Sequence, residues 1–222
     1  MNNSISLSVM CADLMNLKSE ISVFEEMEVE YLHIDFMDGK FVPNITFGTD
    51  MIREFKSAIT KMRRDIHIMA FEPAQYFEKM KIGKGDMVSV HYEACEDLKS
   101  TLEQIKELGA SPCIAISPDT DVEVILNYTD IIDSVLVMTV YPGFAGQPLA
   151  PNSFERISKV REILDANGME KIEIQVDGNV SWENAVKMKK AGANNFVAGS
   201  SSIFEKNGSI KNNIVKFRDC VN

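Results

Sequence analysis

His33 and Asp35 stand two residues apart in the run YLHIDFM, so on an extended strand both side chains leave the same face. The chain holds three histidines, His33, His67 and His91, and each falls late in an apolar, strand-like run rather than in a helix or a surface loop. Asp177 ends another such run, IEIQVD. Two imidazoles and two carboxylates brought to one place form a mixed nitrogen and oxygen donor set that suits a divalent ion. A plainer account makes each of them a hydrogen-bonded residue beside a core. That account serves for any one of the four, whereas His33, Asp35, His67 and Asp177 together point to metal. His91 has no comparable partner in sequence and is expected to pack or to back the site from behind.

Two uncharged, glycine-bearing segments add a second chemistry. Tyr141 to Pro148 (YPGFAGQP) carries two glycines among Gly143, Phe144, Ala145 and Gly146, and Ala198 to Ser202 (AGSSS) follows the last strand-like run. Turns of this kind expose backbone N–H groups to an anion, and two of them side by side point to a phosphate site. Met37, Met69 and Met138 sit at or near strand ends, where they are expected to form an apolar, polarisable wall.

The elements that must position these residues alternate between short β-type runs and amphipathic helical stretches. Strands are expected at 5–9, 31–35, 65–69, 87–91, 113–117, 134–140, 171–177 and 195–199. Helices are expected at 13–27, 50–58, 73–81, 98–108, 122–127, 153–166, 182–191 and through 213–218. Asp13, Asp50, Asp97, Asp121 and Ser181 occupy N-cap positions in this reading, and Gly109, Gly168 and Gly192 follow helix ends. Eight β-then-α units without a composition break predict an α/β fold, a single (β/α)8 TIM barrel over residues 1–222, with its site at the C-terminal strand ends. A doubly wound open sheet would want a glycine-rich first turn, where this chain reads Val9 to Ala12 (VMCA).

Composition narrows the partners. The 222 residues include 23 Lys and Arg against 33 Asp and Glu, a net charge of −10, which disfavours nucleic acid and leaves any phosphate to local backbone amides. The longest uncharged run, Ser134 to Phe154, is interrupted by Pro142, Gly143, Gly146, Pro148 and Pro151, so no membrane span is expected, and no export signal is legible at the N-terminus. Cys11, Cys95, Cys113 and Cys220 show no CxxC spacing and suit reduced thiols in the cytoplasm.

Taken together, the runs His33 to Gly39 (HIDFMDG), Phe41 to Asn44 (FVPN), His67 to Met69 (HIM), Met138 to Val140 (MTV), Pro142 to Phe144 (PGF) and Val176 to Gly178 (VDG) resemble the signature of the ribulose-phosphate 3-epimerases. The likeness runs from Ser8 to the Gly199–Ser200 turn, in order. It implies a barrel of the ribulose-phosphate-binding type and one divalent ion on His33, Asp35, His67 and Asp177, with Zn²⁺, Fe²⁺, Mn²⁺ and Co²⁺ all compatible. It further implies that Asp35 and Asp177 are the acid/base pair. Contacts to substrate or phosphate are implied at Ser8, His67, Gly143, Phe144, Ala145, Gly146, Asp177, Gly178, Asn179, Gly199 and Ser200.

The implied activity is epimerisation at carbon 3 of a phosphorylated ketose through a cis-enediolate, foremost D-ribulose 5-phosphate to D-xylulose 5-phosphate. No redox cofactor or pyridoxal group is needed, and a homo-oligomer is expected. Ala145 stands where the family's loop usually has glycine, and Asn179 where another glycine is common. Val9 to Leu14 (VMCADL) and Gly143 to Gln147 (GFAGQ) resemble the allulose-6-phosphate 3-epimerase branch, so a six-carbon ketose phosphate is the alternative. Two rivals fare worse. A metal-free decarboxylase on such a barrel would carry lysine where Met37 stands, and a sugar-phosphate sensor has no need of two proton-transfer groups.

Overall fold

Period-two alternation of apolar residues produces eight parallel strands: β1 (Ser4–Ser8), β2 (Tyr31–Met37), β3 (Arg63–Met69), β4 (Met87–His91), β5 (Ser111–Ile116), β6 (Ser134–Met138), β7 (Glu173–Asp177) and β8 (Asn195–Ala198). In the computed structural model, which describes residues 3–205 and 208–222, they close in sequence order into a barrel, with β8 pairing back to β1. Met1, Asn2, Lys206 and Asn207, which the expected 1–222 barrel includes, lie outside the described residues. The outward face of the strands (Leu32, Ile34 and Phe36 on β2; Ile66 and Ile68 on β3; Ile174 and Val176 on β7) merges with the buried helix faces into one large core. The alternate residues fill the barrel. Tyr31, Met87, Cys113, Ala115, Leu136, Met138 and Val140 form a separate apolar cluster there, and Ser6, His33, Asp65, His67, Ser89 and Gln175 are fully buried polar residues.

The outer layer holds α1 (Leu17–Glu26), α2 (Thr49–Ala58), α3 (Leu98–Glu107), α4 (Ser153–Ala166), α5 (Trp182–Lys190) and α6 (Ile210–Val221). Two expected helices are 3₁₀ segments instead, Pro73–Tyr76 and Val122–Asn127. The first is too short to repay helix nucleation, with a positive φ at each side of the expected 73–81 stretch (Glu72 +47°, Lys81 +49°); the second spans six residues, two of them valine. Asp97, Asp121 and Ser181 cap as expected. Asp13 does not: α1 starts four residues later, and Asp13 accepts from the Met15 N–H and the Asn16 side chain in the preceding turn. Asp50 lies inside the first turn of α2 behind Gly48, where it pairs with Arg53. The uncharged run at 134–154 is β6, a loop and the start of α4, and among the described residues no helix is long and apolar enough to cross a membrane. All four cysteines are free thiols.

A buried ion pair fastens the helical layer to the barrel. Arg64, on the outward face of β3, is 1% exposed and spends all five N–H donors: two on Asp86 (2.9 and 2.6 Å) and one each on the carbonyls of Ile52, Met80 and Lys81. Removing the carboxylate leaves the guanidinium charge without its counter-ion away from water. Asp86→Ala is therefore expected to destabilise the fold by about 3 kcal/mol or more, read as a lowered midpoint in urea unfolding.

Candidate active site

Because β2 and β3 pair with His33 opposite Asp65 and Asp35 opposite His67, four polar side chains enter the barrel interior in two adjacent layers. Asp177, at the C-terminal end of β7, reaches the upper layer from three strand steps away through β1 and β8. The Oδ1 of Asp35 lies 3.3 Å from His33 Nε2 and 3.4 Å from His67 Nδ1. The Oδ2 of Asp177 lies 3.6 Å from His67 Nδ1 and 3.9 Å from His33 Nε2. One donor atom from each of the four residues falls within 4.8 Å of all the others.

The two imidazole nitrogens are the test of what this cluster can hold. His33 Nε2 and His67 Nδ1 are buried and have no hydrogen-bond partner, although both sit against carboxylate oxygens. Buried polar atoms in that condition are costly unless something else satisfies them. Lone pairs on two imidazoles and two carboxylates aimed at one point fit a divalent cation. The electrostatics run the same way. Burial opposes charge on His33, but Asp65 and Asp35 outweigh it and hold its pKa well above the ordinary imidazole range. Burial likewise opposes charge on Asp35, and His33 and His67 overcome it, so this carboxyl lies below its usual range. Asp177 is shifted upward by burial and, against the pull of His33, by the nearby charge of Asp35. The cluster calls for positive charge between its acids.

Behind these four is a layer of partners, of which the sequence reading named Ser8 and His91 but missed Asp65, Ser6, Gln175 and Glu93. Asp65 Oδ2 accepts from His33 Nδ1, Ser6 Oγ and Gln175 Nε2, each at 2.6 Å, which places the proton of His33 on Nδ1 and turns Nε2 to the site. The period-two rule that singled out His67 applies equally to Asp65 two residues earlier, so this partner was within reach of the pattern. Ser8 Oγ donates to Asp35 Oδ2 at 3.0 Å. His91 Nε2 lies 2.9 Å from His67 Nε2, so His91 does back the site, and its other nitrogen faces Glu93. Burial pushes the pKa of His91 down to about 4. Glu93, in spite of the burial that opposes its charge, is held at about 2 by His91, Thr120 and Ser117.

Above the cluster opens a cleft, at the end of the barrel where the strands terminate. Its lining includes Ser8, Asp35, Asp177, the three methionines Met37, Met69 and Met138, the loop Gly143 to Gln147, and Gly178, Asn179, Gly199 and Ser200. His33 and His67 lie beneath it, fully buried, and neither is part of the lining. Met10 and Cys11 also face the cleft, which sequence periodicity could not show because they follow β1 in a short 3₁₀ turn. The loop over the cleft is held by side-chain amides: Asn44 Nδ2 donates to the Gly143 carbonyl, Gln147 Nε2 to those of Tyr141 and Phe144, and Asn179 Nδ2 to that of Gln147. Gly178, at φ +116°, passes so close to Val140 that a Cβ there would lie 2.6 Å from its side chain; only glycine fits directly after Asp177.

Comparison with known proteins supplies the lineage. The model of the Ribulose-phosphate 3 epimerase family matches residues 4–204. The ribulose-phosphate 3-epimerase of Bacillus subtilis is 40% identical over 197 residues, covering 89% of this chain and 90% of that protein. The Synechocystis ribulose-phosphate 3-epimerase is 36% identical, covering 90% of this chain and 87% of its own length. Among solved structures, KGPDC from Streptococcus mutans superposes with a TM-score of 0.69 at 11% identity, covering 100% of this chain and 98% of that one, which is a likeness of fold alone. Phosphoribosyl anthranilate isomerase from Thermus thermophilus does the same at a TM-score of 0.63 and 11% identity, with 98% of each chain covered. Those barrels share an architecture with this one, but the match to the two epimerases extends through the sequence itself, and the chain belongs to the ribulose-phosphate 3-epimerase family of carbohydrate epimerases.

Proposed function

We propose that the chain, as one barrel domain over residues 1–222, interconverts D-ribulose 5-phosphate and D-xylulose 5-phosphate by moving the proton at carbon 3. The observation that carries this reading is the pair Asp35 and Asp177, both lining one cleft and both in contact with the same two buried imidazoles. Asp35, kept ionised by His33 and His67, takes the carbon-3 proton, and the electron pair moves into the carbonyl to give an enediolate. Asp177, whose proton is held more tightly, returns a proton to the other face, and the roles exchange in the reverse direction. His33, Asp35, His67 and Asp177 would hold a divalent ion, which would supply the positive charge that offsets an enediolate.

Ser8 fixes the Asp35 carboxylate that abstracts the proton, and Met37, Met69 and Met138 keep water from the reacting carbon. The phosphate rests on backbone N–H groups around Gly143 to Gly146, Gly178–Asn179 and Gly199–Ser200, since no Lys or Arg is among the described residues that line the cleft. D-Allulose 6-phosphate to D-fructose 6-phosphate is a second reading, favoured by one observation: Met10, Cys11 and Ala145, residues of the runs that resemble the allulose branch, line the cleft. A cytoplasmic homo-oligomer without nucleic-acid or membrane partners completes the proposal. Light scattering of the purified chain checks the oligomer.

Protein purified without chelator is expected to carry about one divalent ion per chain by elemental analysis, and His33→Ala and His67→Ala are each expected to lose it. Full turnover after exhaustive chelation overturns the metal assignment. Asp35→Asn and Asp177→Asn, reloaded with metal, are each expected to lose about 10²–10⁴-fold in turnover. In D₂O each variant is expected to exchange the carbon-3 proton of one epimer without converting it; a metal-replete double variant that epimerises at the wild-type rate overturns the two-aspartate scheme. Assayed on five- and six-carbon ketoses with and without phosphate, the enzyme is expected to favour D-ribulose 5-phosphate and to turn over the unphosphorylated sugars far more slowly.

A further inference from the structure

We propose that Glu93 is a positioning residue for the metal centre, acting through His91 to set which nitrogen of His67 carries the proton. The proposal rests on the reading of His67 as a ligand. His67 turns Nδ1 toward the carboxylates of Asp35 and Asp177, at 3.4 and 3.6 Å, and Nε2 toward His91 Nε2, at 2.9 Å. Two ring nitrogens at that distance share one proton, so one ring donates and the other accepts. If His91 donated, a neutral His67 would carry its own proton on Nδ1, pointing into the cation site and blocking ligation. If His67 donates from Nε2, its Nδ1 lone pair is free for the ion.

The far nitrogen of His91 decides between the two. His91 Nδ1 lies 3.1 Å from Glu93 Oε2. The other oxygen of Glu93 already accepts from the Ser117 N–H at 2.9 Å and from the Thr120 hydroxyl, so the carboxylate is an acceptor throughout. It therefore demands the proton on His91 Nδ1, which leaves Nε2 of His91 to accept from His67. The two histidines of the site are thus governed alike: His33 meets its carboxylate, Asp65, directly at 2.6 Å, and His67 meets Glu93 through one intervening imidazole. Glu93 can be removed without opening the core, because its side chain is 27% exposed.

The test uses Zn²⁺ as the probe, with affinity measured by chelator competition on the full chain, in wild type, Glu93→Ala, His91→Gln and the double variant, each checked for an unchanged melting temperature. Glu93→Ala is expected to weaken Zn²⁺ binding about 10–100-fold. The amide of His91→Gln offers an oxygen to His67 without help from Glu93, so in that background Glu93→Ala is expected to change affinity by less than about twofold. Imidazole ¹⁵N spectra of the zinc-loaded wild type, with only three histidines to assign, are expected to show His67 protonated on Nε2 and His91 on Nδ1. Unchanged affinity in Glu93→Ala, equal loss in both backgrounds, or a wild-type His67 protonated on Nδ1 overturns the proposal while leaving the metal reading in place. A wild-type chain that binds no Zn²⁺ overturns both.

Discussion

One buried carboxylate oxygen ties the inside of the barrel together. Asp65 Oδ2 accepts from β1 through Ser6, from β2 through His33 and from β7 through Gln175, while its own chain is β3. A charge in that position is tolerable only because three donors converge on it, and each donor is in turn held by the acceptor they share. The consequence is directional. His33 is locked with Nε2 turned upward, and the layer above inherits a fixed geometry in which Asp35 and Asp177 meet that nitrogen. Many barrels of this type fill the interior with branched aliphatic side chains; this one gathers most of its apolar interior cluster on β4, β5 and β6 and the hydrogen-bonded group of Ser6, His33, Asp65 and Gln175 on β1, β2, β3 and β7.

The polar column makes the site electrostatically demanding. Asp35, Asp65 and Asp177 bring three carboxylates to two imidazoles in a volume from which water is nearly excluded. At such separations in a poorly screened interior, like charges repel by several kcal/mol unless opposite charge intervenes. The upward shift of Asp177 and the downward shift of Asp35 are two responses to that one constraint. They also set the two carboxyls apart, because the more exposed one at the cleft keeps its proton longer than the one pinned between histidines.

The loops carry the same logic outward. Thr139 donates its hydroxyl to the carbonyls of Asp177 and Gly178, so the end of β7 is held by the residue that follows β6. Asn44, Gln147 and Asn179 bind carbonyls of the loop at 141–147 in neighbouring segments of chain. A turn whose carbonyls are occupied in this way is restrained without a basic side chain.

How much of this was legible in the sequence follows from the range of each interaction. Alternation along a strand is local, so the β2 motif alone places His33 and Asp35 on one face, and the order of eight βα units dictates a barrel whose strand ends carry His67 and Asp177. Caps whose partner lies two or three residues away, such as Asp97, Asp121 and Ser181, were likewise readable. Asp13 and Asp50 were misplaced because a cap depends on where the first turn begins, and packing against the barrel decides that to within a residue or two. The partnership of Asp65 with Gln175, 110 residues away, and of His67 with His91 and Glu93, needed the register that closure imposes between strands. The residue types and the faces they occupy were set by the sequence itself. Which nitrogen points where, which buried acid is satisfied, and that Met10 and Cys11 face the cleft were decided by tertiary structure alone, because those facts belong to pairs of residues that only a closed barrel brings together.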